Sequence, residues 1–107
     1  MTDILTKIDN EVKSNKIIIY MKGDKTAPQC GFSAAVVDIF KLLDVPFETR
    51  DILKDNELRE GIKKYSNWPT IPQIFVNGKF IGGCDITREM YQTGELKKLV
   101  TDAVKAQ

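Results

Sequence analysis

Ile17-Ile18-Ile19-Tyr20-Met21 is a continuous apolar run with a lysine at each end. It is short and rich in β-branched side chains, which suit a pleated strand better than a helix turn. A strand with one face in water alternates apolar and polar residues, whereas an unbroken apolar strand is covered on both faces. That requirement places a sheet in the middle of the molecule, with helices packed on either side.

The rest of the chain supplies those helices and further strands. Thr2 is placed to cap a first helix whose residues Ile4, Leu5, Ile8 and Val12 share one face. Residues 23–29 are polar, hold Pro28, and read as a loop. From Cys30 onward Phe32, Val36, Val37, Phe40 and Leu43 recur at helical spacing. Pro46 stops that helix ahead of a strand-like stretch at 47–52. Asp55 caps a third helix presenting Leu58, Ile62 and Tyr65. Two prolines in Trp68-Pro69-Thr70-Ile71-Pro72 exclude helix there. Asn77-Gly78 between two apolar runs is a strong hairpin signal. Asp85 is read as the cap of a further helix running through Tyr91 and ended by Gly94. Leu96, Leu99, Val100 and Val104 mark a last helix. The expected fold is α/β: one domain over residues 1–107, with a mixed four-stranded sheet made of a parallel pair and a C-terminal antiparallel hairpin, flanked by helices.

Composition removes several function classes. The 107 residues carry 16 basic and 15 acidic side chains, a net charge of +1, so no global field favours nucleic acid. There is no histidine, which excludes Cys-His and Ser-His pairs. Two cysteines are too few for a zinc site within one chain or for a secreted disulfide framework. No apolar run is long enough to span a membrane. Asp3, Asp9 and Glu11 make the N-terminus unlike a targeting peptide. The expected location is the cytoplasm, or an organelle matrix if a targeting segment has been removed.

What remains is cysteine chemistry. Cys30 stands after the first strand and at the head of the first long helix, where unpaired N–H groups favour a thiolate. In sheets of this kind sites form beyond the carboxyl ends of the parallel strands. A thiolate in that position serves either as nucleophile or as soft metal ligand. Ser33 stands where a dithiol enzyme of the Cys-x-x-Cys type carries its resolving cysteine, and a hydroxyl forms no disulfide. Ser33 is otherwise a hydrogen bonder of the first helical turn.

Four separated motifs agree in order and spacing: Lys22-Gly23, Cys30-Gly31-Phe32-Ser33, Trp68 to Pro72, and Gly82-Gly83-Cys84-Asp85. With them the whole chain resembles the thioredoxin fold and, more narrowly, a monothiol glutaredoxin of the CGFS class. The stretch from Lys22 to Cys30 has the longer loop of that class.

The resemblance implies that Cys30 is the functional thiol and metal ligand, facing a cis-Pro72. It implies a glutathione site formed by Lys22, Arg59, Ile71, Cys84 and Asp85. Ile71 is aliphatic where some relatives carry an aromatic, a change of little consequence for a backbone contact. The resemblance further implies a [2Fe-2S] cluster bound between two subunits, delivery to apo iron–sulfur recipients, and pairing with a BolA-like protein.

These implications suit the chemistry. Glutathione has two carboxylates for Lys22 and Arg59, an extended backbone for Ile71, and an amine for Asp85. The alternative for Lys22 and Arg59 is a solvated surface charge, a reading that suits Arg59, beside Glu57 and Glu60, better than Lys22 at its strand end. Cys84 is either a small packed residue touching glutathione or a second thiol able to pair with Cys30. Phe32 either packs inward or stays beside Cys30 and shields a cluster. A [2Fe-2S] centre takes four thiolates. Two chains with two glutathiones supply four. A cluster carrier with glutathione as co-ligand is therefore the leading expectation. A glutathione-dependent oxidoreductase that removes glutathionyl groups through Cys30 is the second, and an adaptor reporting iron status the third.

Overall fold

A computed structural model describes residues 3–105. In chain order the elements are α1 Ile4–Ser14, β1 Ile17–Met21, β2 Gly23–Asp24, β3 Ala27–Pro28, α2 Gly31–Leu43, β4 Glu48–Asp51, α3 Asn56–Ser66, β5 Gln73–Val76, β6 Lys79–Gly82, α4 Cys84–Thr93 and α5 Glu95–Lys105. The main sheet has the order β4-β1-β5-β6. β1 pairs parallel with β4 and antiparallel with β5, and β5 with β6 antiparallel.

β1 is buried along its whole length, and its period of two divides the core. Ile17, Ile19 and Met21 pack with Val36, Val37 and Phe40 of α2 and with Leu96 and Val100 of α5. Ile18 and Tyr20 face the other way, against Ile8 and Val12 of α1 and Leu58 and Ile62 of α3. The unbroken apolar run is thus the shared wall of two cores.

The local signals act largely as expected. Asp55 caps α3, its carboxylate accepting from Leu58 N–H at 3.1 Å. Asn77 and Gly78 have φ of 52° and 82°, the pair of positive values of a type I′ turn. Gly94 closes α4 in the left-handed region. Thr2 lies outside the described residues; the N-cap position of α1 is Asp3, whose side chain makes no capping bond.

Three expectations are corrected. Residues 23–29 are not simply a loop: β2 and β3 pair antiparallel, with Gly23 opposite Pro28 and Asp24 opposite Ala27. The Asp24 carboxylate ties the turn by accepting from the N–H groups of Thr26 and Ala27. Asp85 does not cap α4; Gly83 holds the N-cap position and Asp85 lies inside the first turn. α2 ends at a left-handed Asp44, whose N–H bonds to the Lys41 carbonyl, before Pro46 is reached.

Candidate functional site

Cys30 is the N-cap residue of α2, with extended backbone, and its carbonyl accepts from Ala34 N–H at 2.9 Å. The preceding hairpin sets where it stands. Gly23 has φ +83°, and a Cβ there would lie 2.7 Å from Gln29 N. The Gln29 N–H donates to the Lys22 carbonyl at 2.9 Å. Asp51, at the end of β4, accepts from Gly23 N–H at 3.0 Å and Leu53 N–H at 2.9 Å. The neighbouring strand thereby pins the segment that delivers Lys22 and Cys30.

Ser33 is fully buried, and its Oγ accepts from Lys22 N–H at 3.2 Å. Around the Cys30 sulfur two influences compete. Burial pushes the thiol up, but the Ser33 N–H and hydroxyl, the Phe32 N–H and the Lys22 charge outweigh it and hold Cys30 below the ordinary thiol range. Cys84 goes the other way. Burial pushes its thiol up, Asp85 and Cys30 add to that, and the Arg88 guanidinium opposes it only in part. One thiol is set for ionisation and the other against it.

Beside Cys30 opens a cleft of about 460 Å³. Lys22 and Phe32 form one wall, and Arg59 and Lys63 of α3 another. The Trp68 to Pro72 loop makes a third, and Gly83 to Ile86 closes the fourth. The Ile71-Pro72 bond is cis. Gly83 allows close approach of the last two walls: a Cβ there would meet the Pro72 carbonyl oxygen at 3.2 Å. Lys22, Arg59, Ile71, Cys84 and Asp85, far apart in sequence, all line this one cleft. Cys30 stands next to it, in electrostatic reach of both Lys22 and Cys84.

The Arg59 Nε is buried with no hydrogen-bond partner among the described residues. Arg59 also lines the cleft, and a guanidinium there is suited to a carboxylate. Lys63, one turn further along α3, lines the same wall, paired to Glu60 at 3.8 Å. Phe32 does not pack inward: it is 62% exposed at the cleft rim.

Sequence reasoning missed Lys63, Gln73 and Arg88. Lys63 and Arg88 each lie four residues after a site residue, Arg59 and Cys84, so helical spacing points to both. Gln73 carried no such signal, being one polar residue at the start of a strand. Among the described residues no group of three or more His, Cys, Asp or Glu side chains could hold a metal ion. No described helix is long and apolar enough to cross a membrane.

Comparisons with known proteins agree with this geometry. The glutaredoxin family model matches residues 17–81. The chain is 56% identical over 98 residues to a Synechocystis protein named an uncharacterized monothiol glutaredoxin, covering 92% of each. It is similar to reduced poplar apo GrxS14, with a TM-score of 0.83 at 50% identity over 94% of this chain and 93% of that one. A buckwheat glutaredoxin–glutathione complex also superposes, with a TM-score of 0.83 at 25% identity over 94% of this chain and 89% of the other. A lone ionisable cysteine, a serine in the resolving position and these likenesses lead to one conclusion: the chain belongs to the glutaredoxin family, among its monothiol members.

Proposed function

We propose that the protein binds glutathione in the cleft and carries a [2Fe-2S] cluster, as cargo, between two subunits for iron–sulfur assembly and transfer. The observation that carries this reading is the pairing of a stabilised Cys30 thiolate with Ser33, a residue unable to form an intramolecular disulfide, at the mouth of a cationic cleft. The buckwheat complex supports glutathione as the cleft ligand. Lys22 and Arg59, with Lys63, take its carboxylates, the Ile71 backbone pairs with the extended peptide, and Asp85 takes the amine. Cys84 flanks the bound peptide as a neutral thiol. Each chain then offers one thiolate, Cys30, and a four-thiolate cluster needs two chains and two glutathione sulfurs. Recipients are apo iron–sulfur proteins, and a BolA-like protein replaces one subunit in a regulatory pairing. A reducing compartment, cytoplasm or organelle matrix, is the setting that keeps Cys30 free.

Anaerobic reconstitution with iron, sulfide and glutathione tests this directly. The expected product is brown, dimer-sized, and absent when glutathione is omitted. A colourless monomer under every condition overturns the carrier reading. A full cluster in a glutathione-free dimer overturns the ligand scheme.

The lowered Cys30 thiol also favours a second reading, glutathione-dependent disulfide exchange. The Cys30 thiolate attacks the glutathionyl sulfur of a mixed disulfide and expels the target protein's thiolate. A second glutathione thiolate then attacks that sulfur, Cys30 leaves as thiolate, and glutathione disulfide is released. Turnover of a glutathionylated peptide by a protein that assembles no cluster would favour this reading.

A further inference from the structure

We propose that Lys25 is a positioning residue for Cys30: its ammonium clamps the β2–β3 hairpin onto Phe47, and through that seat it holds the Cys30 sulfur in line with a disulfide lying in the cleft. The second half of this proposal rests on glutathione as the cleft ligand.

The hairpin needs such a clamp. Its strands have two residues each, with Gly23 opposite Pro28 and Asp24 opposite Ala27. A two-stranded hairpin is marginal in water even at greater length. Only Gln29 separates its second strand from Cys30, so a swing of the hairpin carries the sulfur with it.

Lys25 stands in the turn between β2 and β3 and reaches across to the β4 edge. Its Nζ donates to the Phe47 carbonyl at 2.8 Å and lies 5.3 Å from the centroid of the Phe47 ring. A charge-assisted hydrogen bond and a cation over an aromatic face thus fall on one residue. The Glu48 carboxylate, at 3.4 Å, is exposed and adds little. The Lys25 N–H donates to Thr49 Oγ1 at 3.4 Å, which sets the turn along the same edge.

Phe47 is more than a point of attachment. Its ring packs on Phe40 of α2, with centroids 5.7 Å apart, and Phe40 is fully buried. α2 is the helix that Cys30 heads. The two segments that meet at Cys30, the hairpin before it and the helix after it, are therefore seated on the same residue. Releasing Lys25 frees the first seat and leaves the second. The helix start still favours the thiolate, while the sulfur loses its fixed place beside the cleft.

That loss is selective. Iodoacetamide is a small reagent that needs only an exposed thiolate. Glutathione disulfide needs alignment as well. The Cys30 thiolate attacks one of its sulfurs, the S–S bond breaks, a Cys30–glutathione disulfide forms, and the other glutathione leaves as thiolate.

The test compares wild type, Lys25→Met and Lys25→Arg, with near-ultraviolet circular dichroism as the check on folding and mass spectrometry following Cys30. Lys25→Met is expected to react with glutathione disulfide about 10-fold more slowly, and with iodoacetamide at the wild-type rate. Lys25→Arg, which keeps a cation for the carbonyl and the ring, should restore most of the loss. The Gln29 N–H, which closes the hairpin onto the Lys22 carbonyl, should exchange faster with deuterium in Lys25→Met. Unchanged Gln29 exchange overturns the clamp. Equal glutathione disulfide rates in wild type and Lys25→Met overturn the positioning role, and so does an equal loss with both reagents. A wild type that reacts no faster with glutathione disulfide than with hydroxyethyl disulfide, which has no carboxylates, overturns glutathione as the cleft ligand. Gln29 exchange then still decides the clamp.

Discussion

Gln73 Nε2 donates to the Trp68 carbonyl at 2.9 Å and, in the same fork, to the Thr70 carbonyl at 3.2 Å. Gln73 is fully buried at the first position of β5, so the sheet itself holds the loop that walls the cleft. Both contacts need a donor. Gln73→Glu has the same shape but turns an acceptor toward two carbonyl oxygens, whereas Gln73→Leu only removes the bonds. We expect Leu to cost about 1–2 kcal/mol and Glu clearly more, in urea unfolding at neutral pH. Equal destabilisation by both would mean that this fork does not hold the loop. Glutathione affinity should fall in both, because Thr70 and Ile71 lose their support.

The two thiols should separate on a pH axis. Cys30 sits below the ordinary thiol range and Cys84 above it. Reaction with iodoacetamide follows the thiolate fraction, so labelling of native protein at pH 7 should stop at one equivalent, on Cys30. The Cys30 rate should rise with pH with a midpoint below that of a free thiol. Lys22→Gln removes an attractive charge and should move that midpoint up. Rate profiles followed by mass spectrometry decide this; a Cys84 that labels first would reverse the assignment of the two sulfurs.

Legibility in the sequence followed how much each residue reveals by itself. Ile17 to Met21 announced a strand buried on both faces, and the alternation of Ile17, Ile19 and Met21 against Ile18 and Tyr20 bears this out. Asp55 and Asn77-Gly78 were equally plain, because a capping carboxylate and a type I′ turn demand particular side chains. The β2–β3 pair was hidden, since strands of two residues have no measurable period. Asp85 drew the N-cap assignment because it caps well in general, while the true N-cap, Gly83, has no side chain to signal it. Lys22, Arg59, Ile71, Cys84 and Asp85 were legible only through the family resemblance, and the structure brings them to one cleft. Gln73 was not, because its job is to hold a loop and any polar side chain looks alike there.

Gly23 is the tightest point of the segment leading to Cys30. Its φ of +83° strains any side chain, and a Cβ would press on Gln29 N at 2.7 Å. Gly23→Ala is expected to destabilise by about 1–2 kcal/mol from the backbone alone, with the clash added. The hairpin should shift Lys22 as it yields, so glutathione binding should weaken even where the protein stays folded. Thermal melting and titration calorimetry on the same sample measure both effects. An unchanged melting temperature would contradict the conformation assigned to Gly23.

Arg59 offers the sharpest test of the cleft as an anion site. Its Nε is buried without a partner among the described residues, which is unfavourable. Arg59 also lines the cleft, where its planar fork suits two carboxylate oxygens at once. Arg59→Lys keeps the charge but loses the fork and the Nε donor. A hydrogen bond to a charged group is worth about 1.5–3 kcal/mol, so glutathione affinity should fall roughly 10- to 100-fold in Arg59→Lys. The empty protein should be no less stable, since an unsatisfied donor has gone. Calorimetric titration set beside urea unfolding gives both quantities. Affinity retained in Arg59→Lys would show that Arg59 contributes only charge, and a large loss of stability would show that its place in α3 is structural.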